Sequence, residues 1–66
     1  MKYRQEALRF FREQRGFNID QLSAKARVSV RQLRYLESGS IPKADTLGRL
    51  AHALGVSVED FFRRAA

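Results

Sequence analysis

The side chains best suited to contacting a ligand lie in residues 18–37, NIDQLSAKARVSVRQLRYLE. The second half of this stretch places four side chains on one helical face that is almost bare of acid: Val30, Arg31, Arg34 and Tyr35. Guanidinium groups donate paired hydrogen bonds to base edges and phosphates, and a branched aliphatic side chain can contact a thymine methyl. The face therefore indicates noncovalent recognition of a nucleic acid.

Two short helices must hold this face in place. Asn18 and Ser29 are both N-cap residue types, whose side chains accept hydrogen bonds from the first turn of the helix that follows. Behind each cap an apolar pair recurs at helical spacing, Leu22 with Ala26 and Leu33 with Leu36. The pattern predicts a helix at about 19–26, a turn at Arg27 and Val28, and a second helix at about 30–37.

The net charge of +6 is unevenly distributed along the 66 residues. Residues 1–36 hold nine Lys or Arg against three Asp or Glu, whereas residues 37–66 hold four of each. A basic patch of this kind attracts polyanions, of which nucleic acid is the commonest in cells. The alternative is a merely solvated charged surface.

Length and composition exclude several classes of protein. A chain this short hides only about 60% of the surface that its unfolded form exposes, so one domain over residues 1–66 and no deep catalytic cleft are expected. No cysteine is present, which excludes disulfides and thiolate metal sites. His52 is the only histidine and neither a carboxylate pair nor a nucleophile with its base accompanies it, so we predict neither an enzyme, a metal nor a cofactor. The chain also lacks a 20-residue apolar run, and a cytoplasmic protein is the default expectation.

Three further helices are predicted around the central pair. Leu8 and Phe11 share one face of a first helix from Tyr3 to about Gln14, and Gly16 follows as a stop. A fourth helix begins at Asp45 or a near neighbour and ends at Gly55. Its apolar side chains recur at helical spacing: Leu47, Leu50, Ala51 and Leu54.

A fifth helix is predicted after the Ser57 cap. Acidic side chains occupy its first turn and basic side chains its last turn, as the helix dipole favours: Glu59, Asp60, Arg63 and Arg64. Either Phe61 or Phe62 would face the core. The fold class predicted from these patterns is all-α, a bundle of five short helices.

From Leu8 to Phe62 the chain resembles the DNA-binding domain of phage repressors and Cro, the XRE-like helix-turn-helix proteins. The resemblance rests on these residues in this order: Arg12, Gly16, Asn18, Leu22, Val28, Ser29, Leu33, Leu36, Glu37, Gly39, Pro42 and the run 47–57. It implies a sequence-specific transcriptional regulator, most simply a repressor, whose third helix enters the major groove of double-stranded DNA.

The resemblance also implies roles for individual residues. Base contacts fall to Val30, Arg31, Gln32 and Tyr35. Phosphate contacts fall to Asn18, Ile19, Arg27, Ser29, Arg34, Ser40 and Lys43, with simple solvation an even alternative for Arg34. Arg12 and Glu37 are implied to form an internal ion pair that joins the first helix to the end of the third.

The implied assembly is a homodimer on two half-sites about 34 Å apart. Candidate dimer contacts are Val56, Phe61 and Phe62, although both phenylalanines could equally complete the core. Phe10, which adjoins Phe11, is expected either to cover the fifth helix or to remain exposed for a partner.

One departure from the family pattern concerns the turn. Arg27 stands where glycine is usual, and a left-handed conformation there would cost a non-glycine residue about 1–2 kcal/mol.

Two rival functions remain open at this point. An antitoxin or adaptor could keep the fold and use its surface mainly for a partner protein. Membrane binding by the amphipathic segment 3–15 is a weaker rival, because Leu8 and Phe11 are needed in the core and two acidic side chains of that segment oppose an anionic surface.

Overall fold

The computed structural model describes residues 2–62, which form four α-helices followed by one 3-10 turn. The helices are α1 (Gln5–Gln14), α2 (Ile19–Ala26), α3 (Val30–Glu37) and α4 (Ala44–Leu54), and the 3-10 turn is Val58–Phe61. No strand occurs within residues 2–62. The all-α prediction is therefore confirmed for the described part of the chain.

The predicted caps start the two central helices. Asn18 Oδ1 accepts a hydrogen bond from the Gln21 N–H at 2.7 Å, and Gln21 Oε1 accepts one from the Asn18 N–H at 2.8 Å. Ser29 Oγ accepts from the Gln32 N–H at 3.1 Å. Each cap satisfies donors that the first helical turn leaves without an internal partner, which fixes where α2 and α3 begin.

The four helices and the 3-10 turn enclose one core. Its six most deeply buried large side chains are Leu8, Leu22, Leu33, Leu50, Leu54 and Phe61, and each of the five elements supplies at least one of them. Every apolar position predicted for α4 is buried, as is Ala26 of α2. Because α2 and α3 both contribute to this core, their relative orientation is set by packing.

The predicted fifth α-helix is not seen over the described residues. Val58–Phe61 instead forms a 3-10 turn, in which the Phe62 N–H donates to the Glu59 carbonyl at 2.9 Å and the Asp60 N–H to the Ser57 carbonyl at 3.0 Å. These bonds span three residues, and a carboxylate oxygen of Asp60 caps the Ser57 N–H at 2.9 Å. Arg63 and Arg64, predicted for the last turn of that helix, lie outside the described residues.

The first helix begins at Gln5, two residues later than predicted. Tyr3 lies outside α1, where its ring stacks on Phe61 at 6.3 Å between centroids and meets the edge of Phe62 at 5.9 Å. The Arg4 N–H donates to the Phe61 carbonyl at 2.8 Å. Aromatic stacking and this backbone bond, and not helix formation, hold residues 3 and 4 in place.

We predict that Tyr3→Phe raises the free energy of unfolding by about 1 kcal/mol at neutral pH, since the buried Tyr3 hydroxyl has no hydrogen-bond partner among the described residues. Burial, and then the nearby charges of Glu37 and Glu6, raise the pKa of Tyr3 to about 12. An unfolded tyrosine ionises near pH 10, so the wild-type protein loses stability between about pH 10 and 12 as its unfolded state releases this proton.

Urea unfolding of both proteins at neutral pH and above about pH 10 measures this effect. The stability difference between them should widen in favour of the Tyr3→Phe variant as the pH rises through that window. A Tyr3→Phe variant that is less stable than the wild type at neutral pH would show that the hydroxyl is hydrogen-bonded in solution.

No helix within residues 2–62 combines the length and the apolar character needed to cross a bilayer.

Candidate nucleic-acid interface

The four predicted base-contacting residues lie within the first six positions of α3. Arg31, Gln32 and Tyr35 are exposed, and Val30 is half-buried at the start of the helix. Tyr35 keeps 55% of its surface exposed. The three exposed side chains, one aromatic and two hydrogen-bonding, can contact base edges without unfolding any part of the core.

Arg31 and Tyr35 interact with each other. The guanidinium carbon of Arg31 lies 5.9 Å from the centroid of the Tyr35 ring, one helical turn away. A cation over an aromatic face is favoured by the charge distribution of the ring. This contact limits the orientations that the Arg31 side chain samples.

The electrostatic surroundings of α3 favour an anion at its N-terminal end. The first turn of α3 contains no acidic residue, and its last turn contains Arg34, which is exposed. Glu37, the one acid of the helix, is paired with Arg12 and is not presented to a ligand. The outer face of α3 is thus cationic along its length.

The N-terminus of α2 offers fewer free donors than the sequence suggested. The Asn18 N–H is already donated to Gln21, so of the groups expected to bind phosphate at Asn18 only its side-chain amide donors remain. Within residues 2–62, no hydrogen bond engages the N–H groups of Ile19 or Asp20, which stay available to an anion. The exposed carboxylate of Asp20 lies in the same turn and weakens the site.

The remaining predicted phosphate contacts are placed on the surface. Arg27, Ser29, Arg34, Ser40 and Lys43 are all exposed. The Ser29 hydroxyl uses its oxygen as an acceptor for the cap, which leaves its proton free to donate. Ile19 differs, since its side chain is partly buried against the core.

Arg27 adopts the left-handed conformation, with φ 58° and ψ 44°. It is the sole non-glycine residue with positive φ in the described chain. The strain anticipated for this position is therefore present in the turn that joins α2 to α3.

Arg12 and Glu37 are joined by two hydrogen bonds. Arg12 Nε donates to Glu37 Oε2 at 2.6 Å and Nη2 donates to Oε1 at 3.1 Å, and the two side chains are only 12% and 13% exposed. Arg12 Nη1 also donates to the Phe17 carbonyl at 2.9 Å. The hydrogen bonds to Glu37 raise the pKa of Arg12, and burial only partly opposes them. The pair ties α1, the entry to α2 and the end of α3 into one unit.

The three candidate dimer residues differ in exposure. Phe61 is completely buried in the core and offers no surface to a second chain in this conformation. Val56 and Phe62 are half-buried, so a dimer contact through them stays a prediction. Phe10 is 47% exposed and packs its ring edge on Phe11, 5.5 Å away between centroids.

Arg49 is a residue that sequence reasoning missed. Its Nη1 donates to the Arg27 carbonyl at 2.7 Å, and its Nη2 lies 3.4 Å from Asp45 Oδ2. In the sequence Arg49 is only an exposed position of an amphipathic helix. No local pattern could have shown that α4 passes close enough to the turn for this bond.

The chain matches a known protein family over most of its length. A family model described as helix-turn-helix matches residues 8–61. No curated protein matches the chain by sequence. The match begins inside α1, includes α2, the left-handed turn, α3 and α4, and ends with the 3-10 turn. Because it covers most of the chain, the protein belongs to the helix-turn-helix family of the XRE type, a family of DNA-binding regulatory domains.

Proposed function

We propose that this protein binds a specific double-stranded DNA operator and acts there as a transcriptional repressor. The observation that carries the proposal is the exposed outer face of α3. It combines Arg31, Gln32 and Tyr35 with no unpaired acid, in a domain whose family binds DNA. Binding of a protein to an operator blocks other proteins from the same DNA, which requires no catalytic group.

Each side chain of the face suits a particular contact in the major groove. Arg31 can donate two parallel hydrogen bonds to O6 and N7 of a guanine, and Gln32 can pair with N6 and N7 of an adenine. Val30 can touch a thymine methyl, and Tyr35 can pack against sugar or base. The half-site should therefore contain a guanine at the position that faces Arg31.

The backbone of the DNA would be held by groups that precede and follow α3 in the sequence. Before α3 in the sequence, the free N–H groups at the start of α2 and the side chains of Asn18, Arg27 and Ser29 would contribute. After α3 in the sequence, Ser40 and Lys43 in the segment that joins α3 to α4 would contribute, with Arg34 a further candidate. Contacts of this kind fix the orientation of the helix but carry no sequence information.

We further propose a homodimer, with Val56 and Phe62 as the contacts to be tested first. A single domain of this size covers a few base pairs, whereas two copies on half-sites about 34 Å apart would read a palindrome.

Selection from a random pool of duplexes, followed by titration at two salt concentrations, tests the function directly. A palindromic motif that binds far better than its scrambled control would support a dimeric regulator. Equal, salt-sensitive binding to both duplexes would reduce the function to non-specific association with DNA. No binding at either salt concentration would favour the antitoxin or adaptor role.

We predict that Lys43→Gln weakens binding to every duplex by a similar factor and lowers the slope of log affinity against log salt by about 0.9 for each phosphate that the protein ceases to neutralise. Lys43 is exposed at the start of α4, where its amine can reach the backbone but no base contact is assigned to it. Titrations of the selected and scrambled duplexes over a salt series measure both effects. Lys2→Gln is a matched control, since it removes the same exposed charge outside the proposed interface. A change of base preference in the Lys43→Gln variant would contradict the assignment.

A further inference from the structure

Arg49 lies on α4 and hydrogen-bonds to one residue that is assigned to DNA contact, Arg27. Its guanidinium group donates to the Arg27 carbonyl at 2.7 Å and pairs with Asp45 at 3.4 Å on its other arm. The first bond crosses from α4 to the turn between α2 and α3, and the second stays within α4. Only the first can influence how the two central helices are joined.

The turn needs such support because of the residue that occupies it. A left-handed backbone costs an L-residue other than glycine about 1–2 kcal/mol relative to right-handed or extended conformations. Strained residues persist where the surrounding structure holds them in place. At Arg27 those restraints are a backbone bond from its own N–H to the Ser23 carbonyl and the charge-assisted bond from Arg49 to its carbonyl.

The turn, together with packing in the shared core, sets the orientation of α3. Arg27 is followed at once by Val28, whose side chain is buried, and by Ser29, which caps α3. If residue 27 left the left-handed region, the direction of the chain into Ser29 would change, and the outer face of α3 would rotate relative to α2. Base contacts are sensitive to such a rotation, while phosphate contacts by flexible side chains are much less so.

We infer that Arg49 is a positioning residue for DNA recognition, which holds the strained Arg27 turn so that α3 meets the bases in the correct orientation. The inference rests on the proposed DNA-binding function. It assigns to α4 a part in specificity that does not involve touching DNA.

The test compares Arg49→Gln with Arg9→Gln. Arg9 is a matched control, since it too is a surface arginine paired with an acid four residues away, Glu13 at 3.1 Å, but it reaches no turn. Both variants lose one positive charge and one such ion pair. Affinity for the selected operator, affinity for a scrambled duplex and the salt slope are measured for each.

We expect Arg49→Gln to lower operator affinity about tenfold more than Arg9→Gln, which is the scale of one charge-assisted hydrogen bond. The two variants should bind the scrambled duplex equally and show the same salt slope. Arg49→Lys, which keeps the positive charge and a hydrogen-bond donor group, should recover part of the loss. Equal operator affinities in the two variants would overturn the inference. A salt slope lower by about 0.9 in Arg49→Gln alone would also overturn it, because Arg49 would then contact a phosphate itself.

A second background separates positioning from general destabilisation. Arg27→Gly removes the strain of the left-handed conformation, so the added loss from Arg49→Gln should shrink to about twofold in that background. An undiminished loss would overturn the inference.

Hydrogen exchange supplies a readout without DNA. The Val28 N–H, which is bonded to the Ser23 carbonyl at 3.2 Å, should exchange faster in Arg49→Gln than in Arg9→Gln. If the wild-type protein selects no duplex, the proposed function fails, but the exchange comparison still tests the turn.

Discussion

Replacing Glu37 by alanine is expected to lower the free energy of unfolding by about 3 kcal/mol, at the low end of the range for breaking a buried ion pair. The substitution leaves the Arg12 guanidinium without the two acceptors at 2.6 and 3.1 Å, in a place where its side chain is only 12% exposed. The Arg12 guanidinium must then be hydrated or remain buried as an uncompensated charge. Urea unfolding followed by circular dichroism measures the change.

Two comparisons show whether burial is the cause. Glu13→Ala removes the exposed partner of Arg9, and should change stability by less than about 0.5 kcal/mol. Arg12→Met combined with Glu37→Leu should be more stable than Glu37→Ala, because no charge is then left unpaired.

Glu37→Ala should also weaken DNA binding, since the pair joins the end of α3 to α1 and to Phe17. Wild-type stability and affinity in Glu37→Ala would contradict the assigned role.

Arg31→Ala is expected to lower affinity for the selected operator by about 10- to 100-fold, since a bidentate contact with guanine contributes about 1–3 kcal/mol of discrimination. The loss should be confined to one base position of each half-site, and affinity for a scrambled duplex should fall much less. Titration of operators that carry each base at that position measures the effect. Arg31→Lys, which keeps the charge but not the paired donors, should lose most of the preference for guanine.

Arg34→Ala is the matched control for Arg31. It removes the same exposed side chain from the same helix, one turn further along, and no base contact is assigned to it. We expect its base preferences to be those of the wild type, with a salt slope that is either unchanged or lower by about 0.9. Similar base preferences in Arg31→Ala and the wild type would remove Arg31 from the set of base-contacting residues.

Elements that depend on residues close together in the sequence could be predicted from it. Caps at Asn18 and Ser29 act over three residues, and apolar spacing acts over one turn, so the boundaries of α2 and α3 could be predicted closely. The fifth element was predicted less well. N-caps and charges that match the helix dipole are similar for α-helices and 3-10 turns. The residue pattern from Ser57 to Phe62 therefore does not distinguish between the two.

The candidate site likewise has features that the sequence predicts and contacts that it does not. Exposure of Arg31, Gln32 and Tyr35 follows from the helical position of each residue relative to Leu33 and Leu36. The hydrogen bond from Arg49 to Arg27 joins residues 22 positions apart, and the location of the Tyr3 ring depends on Phe61 and Phe62, near the other end of the chain. Contacts of this range depend on how whole helices pack, which no local pattern shows.

The backbone bond between Arg4 and Phe61 has a practical consequence for building chimeric proteins. A donor and an acceptor 2.8 Å apart bring the two ends of the described fold side by side. Domains whose ends are adjacent can be inserted into a surface loop of another protein without forcing that loop apart. This domain could therefore be placed inside a host enzyme or fluorescent protein as a cassette, entering and leaving through neighbouring positions.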